Sequence, residues 1–162
     1  MNLFIKKQKG VSVVELVVAI GILTAFVVSI AVSYSLLLRL AFANVSNIKA
    51  TLLAEETIEV VRYLKTVNWD ANIDPLNTDQ DYFIRFVNAT NWEITGEYNL
   101  VDGIFERKFV LEEIRRNSSG VIVDSGGSLD PDTNKITVYV SWPKDNGATT
   151  TKTMATYISK LK

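Results

Sequence analysis

The feature that most constrains this chain is an uncharged apolar run near its amino terminus. Residues 16–38 carry no charged side chain. Three lysines lie shortly before the run, at Lys6, Lys7 and Lys9. Because about 20 apolar residues in a helix cross the hydrocarbon core of a bilayer, the run predicts a membrane-spanning helix. One carboxylate, Glu15, stands at its start, where an unpaired charge in lipid costs about 2.5 kcal/mol or more.

A basic start followed by an apolar run is typical of several targeting segments. A cleaved secretory signal has a shorter apolar core, but the A-x-A triplet at residues 41–43 leaves cleavage after Ala43 open. An uncleaved signal anchor keeps the lysines in the cytoplasm and places the chain from Asn44 onward outside. Neither alternative explains Gly10 before the run or Glu15 within it.

The stretch Lys9-Gly10-Val11-Ser12-Val13-Val14-Glu15-Leu16 resembles the cleavage motif of type IV prepilins and type II secretion pseudopilins. The resemblance implies that a prepilin peptidase cuts between Gly10 and Val11, on the cytoplasmic side of the membrane. It also implies that the new amino group, on Val11, is methylated. Glu15 then lies fifth in the mature chain, where the resemblance implies that it aligns each incoming subunit with the terminus of its neighbour. A buried carboxylate is tolerable where a cation pairs with it.

The apolar run continues into an amphipathic stretch, so we expect one helix from Val11 to about Val67. No proline occurs before Pro75, and Gly21 is the only glycine between residues 11 and 68. Apolar residues recur at three- and four-residue spacing on one predicted face: Ala50, Leu53, Ala54, Thr57, Val60, Val61, Leu64 and Val67. Any kink is expected at Gly21 or at the polar patch Ser33-Tyr34-Ser35.

Three acids lie on the second half of this predicted helix: Glu55, Glu56 and Glu59. A catalytic or metal-binding role would need partner ligands of other types, and the surrounding sequence offers none. A solvated helix face is the favoured interpretation. Glu59 and Arg62 have the spacing of an ion pair along one helix.

The rest of the chain carries β-strand patterns that predict an α+β fold, with the helix packed by its second half on a four- to five-stranded antiparallel sheet. The predicted strands are residues 82–87, 105–116, 136–142 and 149–158, with 92–94 as a weaker candidate and 120–123 as a short strand or its edge. Residues 68–81 are expected to form a loop, and Asn146-Gly147 a hairpin turn. The predicted organisation is a leader over residues 1–10, an apolar helix over 11–43 and an extracytoplasmic head domain over 44–162.

Residues 124–134 are expected to form a turn-rich connection that contains one weak metal motif. Asp130, Asp132 and Asn134 have the alternate oxygen spacing of a calcium loop, but Lys135 and Ser141 stand where that loop needs glycine and glutamate. A plain turn is favoured, and no metal or cofactor is predicted. The chain has no cysteine and no histidine, which excludes thiolate and histidine chemistry. We therefore do not expect an enzyme.

Residues 135–142, a turn and residues 152–161 resemble the terminal hairpin of minor pilins, as residues 53–62 resemble their helix. The resemblance implies a minor structural subunit of a type IV pilus or type II secretion pseudopilus. Implied partners are other pilin or pseudopilin subunits, prepilin peptidase, an inner-membrane assembly platform and, before assembly, membrane lipid. The implied location is the cytoplasmic membrane, crossed once with the amino terminus inside, and later the filament.

Two other functions stay open at the level of sequence. The head could be an adhesin or a DNA-uptake module carried on the filament, using the aromatic residues Trp69, Tyr82, Trp92 and Tyr98, although core packing is the favoured role for most of them. The chain could also be a plain signal-anchored membrane protein.

Overall fold

The computed structural model describes residues 10, 12–88, 91–144 and 147–160. Helix α1 spans Val13–Val67, 55 residues, which confirms the prediction of one long amino-terminal helix. It runs without a break through Gly21 and through the polar patch at residues 33–35. The chain forms two compact units, of which one ends at Val45 and the other begins at Ser46. We call the second unit, Ser46–Lys162, the head.

A second, very short helix, α2, spans Trp69–Asn72 within the segment that was predicted to be only a loop. Asn68 caps it, because its side-chain oxygen accepts a hydrogen bond of 3.1 Å from the Ala71 N–H. The loop prediction is therefore wrong over these four residues. Asparagine is common both in turns and at helix amino termini. Here the helix is favoured, because the residue after Asn68 is a tryptophan that packs into the core.

Among the residues that the structure describes, seven strands follow, all paired antiparallel. They are β1 (Phe83–Val87), β2 (Asn91–Thr95), β3 (Leu100–Val101), β4 (Phe105–Arg116), β5 (Ile122–Val123), β6 (Ser128–Pro143) and β7 (Thr149–Ser159). β1 and β2 form a two-stranded ladder, while the larger sheet has the order β3-β4-β6-β7 with β5 on the far end of β4. The α+β class is confirmed, but a separate two-stranded ladder and β3 were not predicted.

The second half of α1 packs on the larger sheet through the apolar stripe that its spacing predicts. Ala50, Ala54 and Val61 are fully buried and share one core with Phe109 and Val138 of the central strands. The stripe differs from the prediction at two positions, because Ile58 is buried and Val67 is exposed. Spacing identifies the side of a helix that faces a core, but it does not say how wide a strip the core covers.

The carboxyl-terminal hairpin forms as predicted from strands β6 and β7. Pro143 pairs with Thr149 at the closed end, and the Gly147 N–H donates to the Lys144 carbonyl over 2.9 Å. Gly147 has a φ of 77°, a left-handed conformation that glycine adopts without a steric cost. Asn146, the other residue of the predicted turn, lies outside the described residues.

The prediction of a turn-rich connection over residues 124–134 is wrong in its second half. Strand β6 begins at Ser128, which pairs with Arg116 at the end of β4. The register shifts in this segment, because four residues of β6, 130–133, lie opposite the single residue Ile114 of β4. An extended bulge therefore takes the place of the expected turn. Pro131 is accommodated in this bulge, where no ladder partner needs its missing N–H.

Candidate functional site

The first candidate site is the surface of α1 in the first compact unit. Every large hydrophobic side chain of residues 13–45, which we call the apolar segment, is exposed. The least exposed of them, Leu38, still has a relative accessibility of 41%. A continuous apolar surface of this size is not stable in water and marks a site of contact with lipid or protein. α1 is long and apolar enough to span a membrane.

Four hydroxyl side chains within the apolar segment form hydrogen bonds to the helix itself. The hydroxyls of Thr24, Ser29, Ser33 and Ser35 each donate to the carbonyl four residues earlier, over 2.8–2.9 Å. All four hydroxyl protons are thus hydrogen-bonded without water. This is favourable for a helix that is surrounded by lipid or by other helices.

Glu15 lies in the first turn of α1 and is exposed. The helix begins as the Leu16 N–H donates to the Ser12 carbonyl over 3.1 Å. A carboxylate is favourable there because the free N–H groups of a helix start carry a partial positive charge. Gly10 is exposed and precedes the helix, whereas Val11, the predicted new terminus, and the lysines of the predicted leader lie outside the described residues.

The second candidate site is a buried cation in the head. Arg107 of β4 points to the same side as Phe105 and Phe109 and is only 5% exposed. Its Nη1 donates to the Glu56 carboxylate of α1, and its guanidinium carbon lies 5.8 Å from the ring centre of Trp92 on β2. One side chain thus joins the helix, the larger sheet and the two-stranded ladder.

The electrostatics of Arg107 follow from this position. Burial lowers the pKa of its guanidinium, and the neighbouring Glu56 opposes that effect. Its Nε is buried and donates to no group among the described residues. An arginine stays charged even so, because its unperturbed pKa lies far above physiological pH. The arrangement can hold three elements together, but it supplies no proton and no nucleophile.

Sequence reasoning missed Arg107, although a usable signal was present. In a strand, alternate residues share a face, so a residue midway between Phe105 and Phe109 belongs on the buried side. The interpretation of Glu56 as part of a solvated face was also incomplete, since it pairs with that buried cation. Glu59 pairs with Arg62 over 2.7 Å, as predicted.

The aromatic residues considered for ligand binding are mostly part of the core. Trp69 is buried, and Tyr82 and Trp92 are half-buried against the core. The Tyr82 hydroxyl accepts a hydrogen bond of 2.8 Å from the Asn77 N–H. Tyr98 is the exception, with a relative accessibility of 61%. These four residues therefore offer one exposed ring rather than an aromatic surface.

The weak calcium candidates lie in or beside the bulge of β6. Arg116 donates to the Asp130 carboxylate over 2.6 Å and lowers its pKa. The other oxygen of Asp130 accepts from the Asp132 N–H over 3.1 Å, and Asn134 lies in a regular pair with Glu113. Across the described residues, no group of three or more His, Cys, Asp or Glu side chains is placed to hold a metal ion.

No family model, curated protein or solved structure matches this chain. What is known of the chain comes from its own structure. It has an α+β head and a long apolar amino-terminal helix that is compatible with a transmembrane or signal-anchor segment.

Proposed function

We propose that the chain is a structural subunit, of the minor kind, of a type IV pilus or type II secretion pseudopilus. Its leader is removed between Gly10 and Val11 by prepilin peptidase, and Val11 is then methylated. Before assembly the subunit is held in the cytoplasmic membrane by the apolar segment, with the amino terminus inside and the head outside. In the filament, the apolar segments of many subunits form a common core.

One observation carries this proposal. The one carboxylate of residues 13–45, Glu15, occupies the first turn of a helix whose large hydrophobic side chains are all exposed over that stretch, and it lies five residues after an exposed glycine. A membrane anchor gains nothing from a carboxylate in that place, because the charge is at best neutral at the interface and costs free energy within the hydrocarbon. A polymerising helix does gain from it, because a cation on another subunit can pair with the carboxylate once both are buried.

Assembly would exchange lipid contacts of the apolar segment for contacts with like helices. Lipid chains are as apolar as the side chains of a helix bundle, so this exchange has little hydrophobic driving force. Close packing and polar pairing must then favour the filament. The proposed role of Glu15 is to supply that preference and to set the alignment, which makes it an assembly residue and not a catalytic one.

The processing step is tested by the mass of the mature protein. We expect the chain recovered from cells with a prepilin peptidase to start at Val11 and to carry a methylated amino group. In cells without the peptidase it should start at Met1. A start at Met1 in both strains would favour a plain signal-anchored protein, and a start at Asn44 would favour secretory signal cleavage. Either result would contradict the proposal.

The assembly role is tested with Glu15→Ala. We expect this variant to be cut after Gly10 and to stay in the membrane, but to appear in sheared filaments at a small fraction of the normal amount. Glu55→Ala is the matched control, because Glu55 is an exposed acid on the same helix within the head. Equal incorporation of the two variants would refute the role of Glu15.

A further inference from the structure

The apolar segment carries one positive charge as well as one negative charge. Between Ser12 and Ile48, Glu15 and Arg39 are the only charged side chains. Both are exposed on α1, and the part of the chain that the structure describes forms no ion pair with either of them. Each charge is therefore available to a second molecule.

The two charges cannot meet within one chain. Arg39 follows Glu15 by 24 residues along an unbroken helix, which places them about 36 Å apart along its axis at a rise of 1.5 Å per residue. That distance slightly exceeds the hydrocarbon thickness of about 30 Å. In a bilayer, both side chains can consequently reach the polar interfaces, one on each side.

Removal of the helix from lipid changes their surroundings. In a bundle of like helices, both charges lose the interface and its water. A buried charge without a partner strongly opposes assembly, whereas a hydrogen-bonded pair is tolerated. Arg39 needs a carboxylate, and Glu15 is the only carboxylate that an apolar segment can offer to another copy.

We propose that Arg39 of one copy pairs with Glu15 of a second, parallel copy, and that this pair sets an axial stagger of about 36 Å between the two helices. The inference rests on the proposed function and adds a partner residue and a register to it. The two oxygens of Glu15 allow it to accept the Arg39 guanidinium and the amino group of a neighbouring Val11 together.

The positions of the charges around the helix fit an open polymer. At 3.6 residues per turn, Glu15 and Arg39 lie about 120° apart around the axis of α1. In a parallel arrangement, each copy therefore uses one face to contact the copy ahead and another face to contact the copy behind. Such a head-to-tail contact does not close on itself and generates a filament. An antiparallel pair could also satisfy both charges, but as a closed dimer.

Disulfide cross-linking separates these arrangements, and the absence of native cysteine makes each engineered thiol unambiguous. With the proposed stagger, Ala19 of one copy lies level with Ala43 of the next, four residues beyond each charge. We expect full-length Ala19→Cys/Ala43→Cys protein, oxidised in filaments, to give a ladder of dimers, trimers and higher species on a non-reducing gel.

Three matched variants test the two competing arrangements, which are antiparallel copies and parallel copies without a stagger. Ala19→Cys/Ser35→Cys would form a closed dimer if the copies were antiparallel, because Ser35 then lies level with Ala19. Ala19→Cys alone and Ala43→Cys alone would form dimers if the copies were parallel without a stagger. We expect little cross-linking in all three variants. A strong dimer in any of them, with no ladder from the first pair, would overturn the proposed register.

Charge variants in the Ala19→Cys/Ala43→Cys background test the pair itself. We expect Arg39→Gln to lose the ladder and Arg39→Lys to retain it, while both remain in the membrane fraction. Arg39→Glu, which sets two carboxylates against each other, should lose the ladder as well. Retention of the ladder by Arg39→Gln or by Arg39→Glu would show that the pair does not set the register.

The same samples distinguish failure of this inference from failure of the proposed function. Filaments that contain a chain starting at Val11 but give no ladder would refute the stagger and leave the filament role standing. A chain that starts at Met1 and forms neither filaments nor a ladder would refute both. A ladder that depends on Arg39 and Glu15 in filaments of the Val11 form is the expected result.

Discussion

At the scale of single residues, the stability of the head depends on a buried cation. Alternation along the strand places this residue on the buried side, but it does not show which group balances the charge. Arg107 stands among Phe105 and Phe109 on the buried side of β4. Its charge is balanced by Glu56, whose side chain is 43% exposed. Burial of a charge is expensive unless a partner compensates it, so the stability of this part of the core depends on the carboxylate.

We predict that Glu56→Gln destabilises the head more than Arg107→Met does. Glu56→Gln leaves the guanidinium buried without an opposite charge, and we expect the free energy of unfolding to fall by about 1–3 kcal/mol. Arg107→Met replaces the cation with an apolar chain of similar length, which is expected to cost about 1 kcal/mol or less. Urea unfolding in detergent, followed by the fluorescence of the three tryptophans of the head, measures both.

Glu55→Gln is the control for this comparison, because Glu55 is the exposed neighbour of Glu56 on the same helix. We expect it to change the free energy of unfolding by no more than about 0.5 kcal/mol. Equal stability of Glu56→Gln and Glu55→Gln would contradict the assignment of Glu56 as the charge that compensates Arg107.

At the scale of elements, the connection before β6 is determined by one tight backbone approach. Gly126 and Gly127 have φ of 73° and 75°, both in the left-handed region. They differ in their surroundings, since a Cβ on Gly127 would overlap the Arg116 carbonyl, whereas a Cβ on Gly126 would meet nothing. The start of β6 lies against the end of β4 because Gly127 has no side chain.

We predict that Gly127→Ala destabilises the head by more than Gly126→Ala. Each substitution carries the strain of a left-handed residue, about 1–2 kcal/mol. Gly127→Ala adds a backbone clash that only separation of Ser128 from Arg116 can relieve. The measurement is the difference in free energy of unfolding, together with hydrogen exchange at the Arg116 amide. Equal losses for the two variants would contradict a role for the close approach.

At the scale of the whole molecule, the chain combines two units with opposite requirements. The head buries a hydrophobic core, whereas the apolar segment exposes every large hydrophobic side chain. Water is therefore a suitable solvent for one unit and not for the other. This division, more than any single residue, is why we expect the apolar segment to need contact with lipid or with other protein.

We predict that the full chain stays in the membrane pellet after alkaline carbonate extraction, and that a chain beginning at Ser46 is soluble without detergent. The shortened chain should keep the tryptophan fluorescence and the cooperative unfolding of the head, because the core lies within Ser46–Lys162. Aggregation of the shortened chain, or release of the full chain by carbonate, would contradict the division into two units.

Local patterns in the sequence determined the long helix, its buried side, β4 from Phe105 to Arg116, and the terminal hairpin. Each of these depends on periodicity or on turn chemistry over neighbouring residues, which a sequence displays directly. The position of Glu15 at the start of an uncharged run is likewise visible from neighbouring residues in the sequence. These features were sufficient to predict the α+β class and to identify the candidate assembly helix.

Tertiary structure alone decided which distant residues meet. The pairing of Ser128 with Arg116 extended β6 through a segment of turn composition and placed Asp130 beside an arginine instead of in a calcium loop. Glu56 and Arg107, far apart in sequence, meet only when the helix packs on the sheet. Such contacts depend on long-range burial and strand pairing, and these energies outweigh the local preferences that a sequence makes visible.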